Sequence, residues 1–479
     1  MPFSSFRTNS ARVLLQYPFL WLSAVLAALL FFAPPPSGLS LQGWQTLLLM
    51  GYTVSLWATE AIEPPLTALL VMVLFSLMGI LTFPKAVAGF GDTTIWLLLG
   101  VYIISAAMRE SGLDRRIALN MLNIAQGNTT KILFMANVTT TIFVFLLPAS
   151  SGRASLLTPI CIGIIKAMGL GQNSNIAKGM LISVSYASLL GSLGLLTGAV
   201  SMAYSAALFD VFLGVKLDYL RWMGLMLPIS LTISLLMCPL LLKTFPPELR
   251  ELPGGTIYIR KELNNLGKLT PKEIKVLSIM TLTILCWIFE STVKISIAQS
   301  CLAASIAFLL PGIGFIPWKR GVAAIEWNPI FVLGASLAMV EALKTTHAIE
   351  WFTTMLFSIM PNMGHVVNSI IILIILVLIR ACFPNILAMT ATTLPILFAL
   401  APSIGLSPLW LGLLGVCSTV VGLFFPSQSI THLVTYAAGY YSTRDMFRAG
   451  RYASIVVVVV ILLFAHIYWP WIGISPLLR

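Results

Sequence analysis

The chain has 479 residues, of which 58% are hydrophobic and only 9% are charged, and its mean hydropathy is +0.96. This composition excludes the soluble globular classes, because many apolar runs reach the roughly 18 residues that mark a membrane-spanning helix. The formal net charge of +12 does not indicate a nucleic-acid partner, since the basic residues are dispersed in short loops between apolar runs. We therefore expect an all-α polytopic membrane protein that sits in a lipid bilayer.

Apolar segments predict about eleven transmembrane helices. They lie near residues 17–34, 43–60, 66–83, 93–109, 178–208, 218–243, 273–291, 296–316, 328–346, 405–436 and 452–471. Two further segments, 131–168 and 366–402, are interrupted by polar residues and predict re-entrant hairpins. With a cytoplasmic N-terminus, about twenty of the 28 Lys and Arg residues face inward and about six face outward, which the positive-inside rule expects. These features predict a multi-pass protein of the cell inner membrane.

A polar loop at residues 244–272 divides the chain into two similar halves. The predicted units are N-terminal scaffold spans at 1–90, a first repeat at 91–243 with hairpin 131–168, the cytoplasmic loop at 244–272, and a second repeat at 273–479 with hairpin 366–402. Gly100 and Pro159 in the first repeat match Gly334 and Pro395 in the second. The copies begin on opposite sides of the membrane, so the repeat is inverted, as in many secondary transporters. Chance similarity among apolar helices is the alternative.

The tip of the first hairpin is polar and charged, with Ser150, Ser151 and Arg153 close together. An arginine at membrane depth is costly and indicates a functional site, and polar backbone there requires protein or a water-filled cavity around it. The alternative is an ordinary spanning helix with a proline kink, whose arginine reaches the helix end. For Arg380, just before the second tip, two readings stay open: a second positive charge in the site, or snorkelling to the outer interface.

Each half also contains a predicted broken helix after its hairpin. Residues 196–201 interrupt one long span, and residues 426–432 interrupt its counterpart. We expect the two hairpin tips and the two breaks to converge on one polar pocket near the membrane midplane. Within the second break, His432 fits a hydrogen-bonded packing residue better than a proton carrier.

Most of the chain resembles the divalent anion/sodium symporter family, which includes citrate, succinate and other dicarboxylate carriers. The most specific stretches are the two hairpins, GFGDTTIWLLLGVYIISAAMRESGLDRRIALNML at 89–122 and SQSITHLVTYAAGYYSTRDMFRAG at 427–450. The resemblance implies eleven spans plus two hairpins, a scaffold domain that forms a homodimer, and a transport domain that moves like an elevator.

The resemblance also implies which residues form the site. Substrate binding falls on the hairpin tips and the breaks, at Ser150, Ser151, Arg153, Thr197, Ala199, Asn385, Ser429 and Thr431, and a sodium site falls on Ser150 and Gly198. Each tip of the family carries a Ser-Asn-Thr triplet, whereas the tips here read Ala-Ser-Ser at 149–151 and Asn-Ile-Leu at 385–387. The second sodium site thereby loses a hydroxyl. Arg153 aligns with an arginine that exchanger-like members carry in place of a cation, although their histidine at the position of Met389 is missing. Three roles stay open for Arg153: replacing a bound cation, pairing with a substrate carboxylate, or pairing structurally with hairpin carbonyls.

These observations predict a secondary active transporter of small organic di- or tricarboxylate anions, working by anion exchange or sodium symport. We expect no enzyme activity, because HExxH, GxSxG and P-loop motifs are absent from the sequence. The six cysteines lie in apolar segments without CxxC spacing, so we expect them to form neither disulfides nor a metal site. We expect no cofactor apart from Na⁺ as coupling ion in the case of symport. The alternative is an anion-selective channel or a transport-inactive, anion-binding sensor.

Overall fold

The computed structural model describes residues 33–59, 61–147, 149–248, 251, 253–351, 355, 364–383 and 385–478. Within this part of the chain, the only β-structure is two isolated bridges, Asn128 with Glu251 and Leu406 with Leu477. All longer regular elements are helices. The all-α class expected from the sequence is therefore confirmed.

Ten labelled helices lie before the second predicted repeat. They are α1 (Leu41–Thr59), α2 (Pro64–Leu77), α3 (Thr93–Ser111), α4 (Leu113–Asn123), α5 (Thr129–Ile142), α6 (Ser150–Ala167), α7 (Asn175–Gly191), α8 (Val200–Leu213), α9 (Tyr219–Thr244) and α10 (Pro253–Leu266). Helices α5 and α6 occupy the first predicted hairpin, and α7 and α8 are the two parts of the first predicted broken helix.

The second predicted repeat contains eight labelled helices. They are α11 (Pro271–Ile288), α12 (Ile297–Leu309), α13 (Trp327–Thr345), α14 (His365–Cys382), α15 (Ile386–Ser403), α16 (Pro408–Ser418), α17 (Ile430–Tyr436) and α18 (Thr443–Leu463). Helices α14 and α15 occupy the second predicted hairpin, and α16 and α17 flank the second predicted break.

Polar side chains explain where several of these helices begin. Asp92, Asn128, Ser174 and Asp218 precede α3, α5, α7 and α9, and each accepts a hydrogen bond from a backbone amide in the first turn. Such caps satisfy amides that have no partner inside the helix. Helix α3 ends at Gly112, whose φ of 76° is a left-handed conformation that glycine adopts without strain. The chain can therefore turn at once into α4.

Five helical stretches of the described chain are long and apolar enough to cross a membrane. They are Thr93–Ser111, Asn175–Gly194, Tyr219–Thr244, Ile386–Ser403 and Thr443–Trp471. Six other apolar helices have 10–17 residues, partly because the breaks divide the predicted spans 178–208 and 405–436. The predicted span 17–34 lies outside the described residues except for its last two positions. The count of about eleven crossings stays a prediction.

The segment predicted as a polar loop at 244–272 contains helix α10, which packs against α6 of the first predicted hairpin. A β-carbon added at Gly254 would overlap the carbonyl oxygen of Ala167, and the Tyr258 ring fills the space beside Gly163. This helix was not predictable from the apolar pattern because the segment is polar overall. Packing against a neighbour, rather than intrinsic propensity, stabilises most short helices of this kind.

Helix α7 lies at the centre of the fold, and 94% of its membrane-length window is buried. It packs against α5 and α6 of the first predicted hairpin, against α9, and against α17 beyond the second break. Because α7 touches parts of both halves, residues near its C-terminal end are able to contact both predicted breaks. This placement positions the candidate site.

Candidate functional site

The first break follows the C-terminus of α7. A short 3-10 turn at Ser192–Gly194 and a second turn at 195–198 lead to the start of α8 at Val200. The Gly198 amide donates to Leu195 O at 2.9 Å in this second turn, and a β-carbon added at Gly198 would overlap the carbonyl oxygen of Ser192. Interrupting the helix frees backbone carbonyls from their intrahelical partners, and free carbonyls collect negative potential.

Arg153 occupies this collection of carbonyls. Its side chain is fully buried, and Nη1 donates to the carbonyl oxygens of Leu147 at 2.6 Å and Gly198 at 3.3 Å. Nη2 donates to Ser188 O at 2.8 Å and to Gly198 O at 3.2 Å. The guanidinium therefore joins the first hairpin tip, the last turn of α7 and the first break. The alternative of one spanning helix with a proline kink does not match the described residues, in which α5 ends at Ile142, a 3-10 turn follows at Phe143–Phe145 and α6 begins at Ser150.

The second break begins after α16 and contains a short 3-10 turn at Pro426–Gln428. The Gln428 side-chain oxygen accepts hydrogen bonds from the amides of Phe424 and Phe425, at 2.7 and 2.9 Å. Ser429 then caps α17 by accepting from the Thr431 amide, and the hydroxyls of these two residues lie 2.8 Å apart. Local side chains thus hold the second break in one conformation.

Arg380 lies fully buried beside the second break. Its Nε donates to Thr419 O at 2.7 Å, its Nη2 donates to Gln428 O at 2.6 Å, and its Nη1 donates to the carbonyl oxygen of Phe383. The guanidinium also packs against Gly422, where an added β-carbon would lie 2.6 Å from Arg380 Cζ. The alternative in which Arg380 snorkels to the outer interface is therefore wrong, since its charged head is enclosed by protein.

His432 links the second break to α7. Its Nε2 lies 2.7 Å from Gly422 O, and because a carbonyl only accepts, Nε2 carries the proton. Its Nδ1 lies 2.5 Å from Ser185 Oγ, so it accepts the hydroxyl proton of that residue. Both ring nitrogens are used in hydrogen bonds within the protein, in line with the expectation of a hydrogen-bonded packing residue. Ser185 is one turn before Ser188, which bonds Arg153, so a short path joins the two guanidinium groups.

The other predicted substrate ligands lie at the tips and breaks, but several also cap helices. Asn385 uses its side-chain oxygen to accept from the amides of Leu387 and Ala388, at 2.9 and 3.2 Å. Ser150 and Ser151 are half-buried at the N-terminus of α6. Amides at a helix N-terminus favour negative charge, so the starts of α6 and α15 suit an anion.

A small cavity of about 20 Å³, room for about one water molecule, adjoins the first tip and break. It is lined by Ala149, Thr197, Ala199 and Tyr102 together with apolar side chains. Tyr102 comes from α3, and its buried hydroxyl has no hydrogen-bond partner in the described part of the chain. Tyr102 is not among the site residues predicted from the sequence, because its apolar surroundings resemble an ordinary helix core.

The predicted sodium site does not fit a cation alongside the observed contacts. The Gly198 carbonyl, which was expected to bind Na⁺ with Ser150, accepts hydrogen bonds from both terminal nitrogens of Arg153. A cation at the same oxygen would meet the positive guanidinium. Among the described residues, no group of three or more His, Cys, Asp or Glu side chains is placed to hold a metal ion.

The electrostatics of the site are positive. In the described residues, the ion pairs involve other side chains, so neither buried guanidinium pairs with a carboxylate. Their hydrogen bonds go to neutral backbone carbonyls, which solvate the positive charges without cancelling them. Together with the helix N-termini, this arrangement is able to hold an anion, whose charge would compensate the buried cations.

Comparison with known proteins gives consistent matches along nearly the whole chain. A family model described as the sodium:sulfate symporter transmembrane region matches residues 16–475. A membrane protein of Cupriavidus necator is 27% identical over 474 residues, covering 94% of this chain and 92% of that protein. The sodium-dependent dicarboxylate transporter SdcS of Staphylococcus aureus is 26% identical over 472 residues, covering 93% of this chain and 89% of that protein.

Two solved structures share the fold at low sequence identity. The Alcanivorax borkumensis YdaH transporter matches with a TM-score of 0.52 and 12% identity, covering 96% of this chain and 98% of that one. Neisseria gonorrhoeae MtrF, described as one of a class of antimetabolite efflux pumps, matches with a TM-score of 0.54 and 15% identity, covering 94% of each chain.

Proposed function

Because the chain belongs to the sodium:sulfate symporter family of membrane transporters, we propose that it exchanges small organic di- or tricarboxylate anions, with Arg153 in place of one coupling cation. The family match confirms the resemblance to the divalent anion/sodium symporters and makes the chain a secondary transporter of anions, not an enzyme. The family is sodium-coupled, so Na⁺ is the coupling ion against which exchange must be tested.

The observation that carries the proposal is the set of carbonyls around Arg153. In secondary transporters, unwound backbone carbonyls and the C-terminal ends of half-helices are the groups that coordinate coupling cations. Here the carbonyls of Leu147, Ser188 and Gly198 are already bonded to a guanidinium, which stays charged in proteins. A cation that is part of the protein cannot dissociate on either side of the membrane. This favours exchange over sodium symport.

The lining of the small cavity supports an organic substrate. Its walls beside the first tip are mostly aliphatic, which suits the carbon chain of a carboxylic acid better than a compact inorganic anion. The carboxylates would face the positive end, toward the N-terminus of α6 and the hydroxyls of Ser150, Ser151 and Thr197. The Staphylococcus aureus relative is described as a dicarboxylate transporter, which agrees with this substrate class.

Reconstitution of the purified protein in liposomes tests the proposal. We expect uptake of labelled succinate, malate or citrate that depends on an internal anion and is unchanged by a sodium gradient, with weaker uptake of sulfate. Uptake that requires external Na⁺ but no internal anion would contradict exchange. Flux that neither saturates nor shows counterflow would indicate a channel, and binding without flux would indicate a sensor.

Replacing Arg153 gives the sharpest variant test. Arg153→Ala leaves buried carbonyls without a donor and removes the fixed charge, so we expect substrate affinity to fall more than about tenfold. Arg153→Lys keeps the charge but loses the planar fork of donors, and we expect it to retain part of the activity. Both variants are compared at equal yield of monodisperse protein. Wild-type affinity and rate in Arg153→Ala would remove this residue from the mechanism.

The assembly implied by the family resemblance forms part of the same proposal. It consists of a homodimer in the inner membrane with a cytoplasmic N-terminus, in which a scaffold dimerises and a transport domain moves like an elevator. The mass of the protein in nanodiscs tests the dimer. Cysteine accessibility from each side of the membrane tests the orientation and the movement of α6 and α15.

A further inference from the structure

We propose that Arg380 is a second fixed cation of the transport site, equivalent to Arg153, and that the two charges together prevent the unloaded carrier from crossing the membrane. This inference rests on the proposed exchange function and deepens it. The inference makes the carrier an obligate exchanger, because only the anion-loaded form would be close to neutral.

The main support is that the two guanidinium groups bind equivalent carbonyls in the two halves. Gly198 lies two residues before α8 begins at Val200, and Gln428 lies two residues before α17 begins at Ile430. Each therefore supplies the carbonyl from the same position of its break. The bonds from Arg153 and Arg380 to these carbonyls thus mark matching points of the two breaks.

The hairpin tips and the preceding helices repeat this correspondence. Leu147 lies three residues before α6, and Phe383 lies three residues before α15. The remaining acceptors are Ser188, in the last turn of α7, and Thr419, the C-terminal cap of α16. In both halves the acceptors are thus one tip carbonyl, one carbonyl at the end of a half-helix and one carbonyl of the break.

The two arginines reach these equivalent places from different parts of the chain. Arg153 lies in the first turn of α6, which follows its tip, whereas Arg380 lies in the last turn of α14, which precedes its tip. They do not align in a comparison of the two repeats. A buried charge at the same place by two different routes is difficult to explain as inherited packing, and indicates that the charge itself is required there.

Contacts between the halves place the two charges in one connected region. Arg153 bonds to Ser188 of α7, and one turn earlier Ser185 bonds to His432. His432 in turn donates to Gly422, against which the guanidinium of Arg380 packs. This path consists of buried side chains and backbone that lie at both breaks.

The charge balance then dictates the mode of transport. A bound dianion offsets two guanidinium charges, so the loaded site is close to neutral, whereas the empty site carries two positive charges. Moving uncompensated buried charge through the hydrocarbon region is costly, and each such charge adds to the barrier. Return of the empty carrier is therefore suppressed, and one anion must be exchanged for another.

The inference is tested first on the unmodified protein in liposomes. Vesicles loaded with labelled succinate are diluted into buffer with or without external succinate. We expect efflux without external anion to be at least about a hundredfold slower than exchange, because one uncompensated charge at the bilayer centre alone produces an effect of that size and the empty site carries two. Equal rates in the two buffers would overturn the inference, and sodium-driven net uptake would overturn the proposed function as well.

Arg380→Ala tests the residue itself. Removing the guanidinium frees the carbonyls of Phe383, Thr419 and Gln428, so we expect exchange to be lost and then restored by external methylguanidinium or by a monovalent cation such as Na⁺. Arg380→Lys is expected to exchange without any added cation. Arg448→Ala, at an exposed position of α18, is the matched control and is expected to behave like the unmodified protein.

Three results separate this inference from its alternatives. If Arg380→Ala exchanges at the normal rate and affinity without an added cation, Arg380 is not a site charge, while the role proposed for Arg153 is unaffected. If Arg380→Ala is monodisperse but neither methylguanidinium nor any alkali cation restores exchange, Arg380 serves packing alone and the inference fails. If Arg380→Ala does not fold, Arg380→Lys and the efflux measurement decide. Exchange by Arg380→Lys together with slow net efflux supports the inference, and loss of either result overturns it.

Discussion

The two breaks carry equivalent guanidinium groups but differ in their surroundings. Beside the first break, the cavity lined by Ala149 and Thr197 reaches the tip, and Arg153 Nε has no partner among the described residues. Beside the second, Arg380 uses Nε, Nη1 and Nη2 in hydrogen bonds, and Gly422 and His432 close the structure around it. The first break therefore has a small cavity and an unpartnered donor beside it, whereas the second is closely packed.

The two guanidinium groups therefore have different roles: one is available to a ligand, and the other supplies a fixed charge. A buried polar group without a partner is costly unless a ligand or water satisfies it, so Arg153 Nε at the first break is available to donate to a bound group. A fully bonded arginine in close packing is held in place and contributes charge without direct contact. Substitutions at the two breaks should consequently affect binding and stability in different proportions.

The largest expected effect comes from Gly198→Ala in the first break. The added methyl group would overlap the backbone carbonyl of Ser192, which cannot rotate away, so the break itself must shift. We expect a loss of about 1–3 kcal/mol in stability, by the usual cost of overpacking, together with loss of exchange. Thermal unfolding in detergent and uptake into liposomes measure the two effects.

Gly422→Ala is the corresponding change in the second break and sharpens the comparison. Its added methyl group meets the Arg380 guanidinium instead of backbone, and a side chain can shift at the cost of weaker hydrogen bonds, so we expect a smaller loss of stability than for Gly198→Ala. Gly91→Ala serves as the control, because a β-carbon there has open space around it. A larger melting-point decrease for Gly422→Ala than for Gly198→Ala would show that the bonded Arg380 guanidinium yields less than the Ser192 backbone.

His432→Phe tests whether the second break depends on the contact with α7. The ring keeps its size but loses both hydrogen bonds, leaving the Ser185 hydroxyl and the Gly422 carbonyl buried without their partner. We expect destabilisation by about 1–3 kcal/mol and no change in the pH dependence of exchange. Ser185→Ala removes one of the two bonds and should cost less. A lost response of exchange to pH in His432→Phe would instead identify a proton carrier.

The sequence predicted the positions of the breaks because glycine, proline and hydroxyl residues interrupt apolar runs there. It also identified both buried arginines as unusual, since charge inside an apolar segment stands out from its neighbours. The equivalence of Arg153 and Arg380 was not predictable. It depends on which carbonyls each guanidinium reaches, and the two side chains come from opposite arms of their hairpins.

Other features depend on tertiary contacts that a single sequence does not display. Asn385 was expected to bind substrate, yet its side-chain oxygen caps α15. The side chain of any asparagine at a helix start can bond nearby backbone amides in this way. Helix α10 was missed because its stabilisation comes from the surface of α6. Tyr102 was not assigned to the site because only the fold brings α3 beside the first tip.

Tyr102→Phe is expected to have the smallest effect, and it tests whether substrate reaches the small cavity beside the first break. The hydroxyl is buried without a partner in the described chain, so removing it breaks no intramolecular hydrogen bond and should leave the melting temperature unchanged or slightly raised. If the hydroxyl donates to a bound carboxylate, the apparent affinity for succinate falls by roughly threefold to tenfold, the worth of one hydrogen bond. Competition by unlabelled succinate in the exchange assay measures this change. Tyr204→Phe, which removes another buried hydroxyl away from the cavity, is the matched control and should leave affinity unaltered. Equal affinities for all three proteins would show that the substrate does not reach α3, and would confine the binding site to the hairpin tips and the breaks.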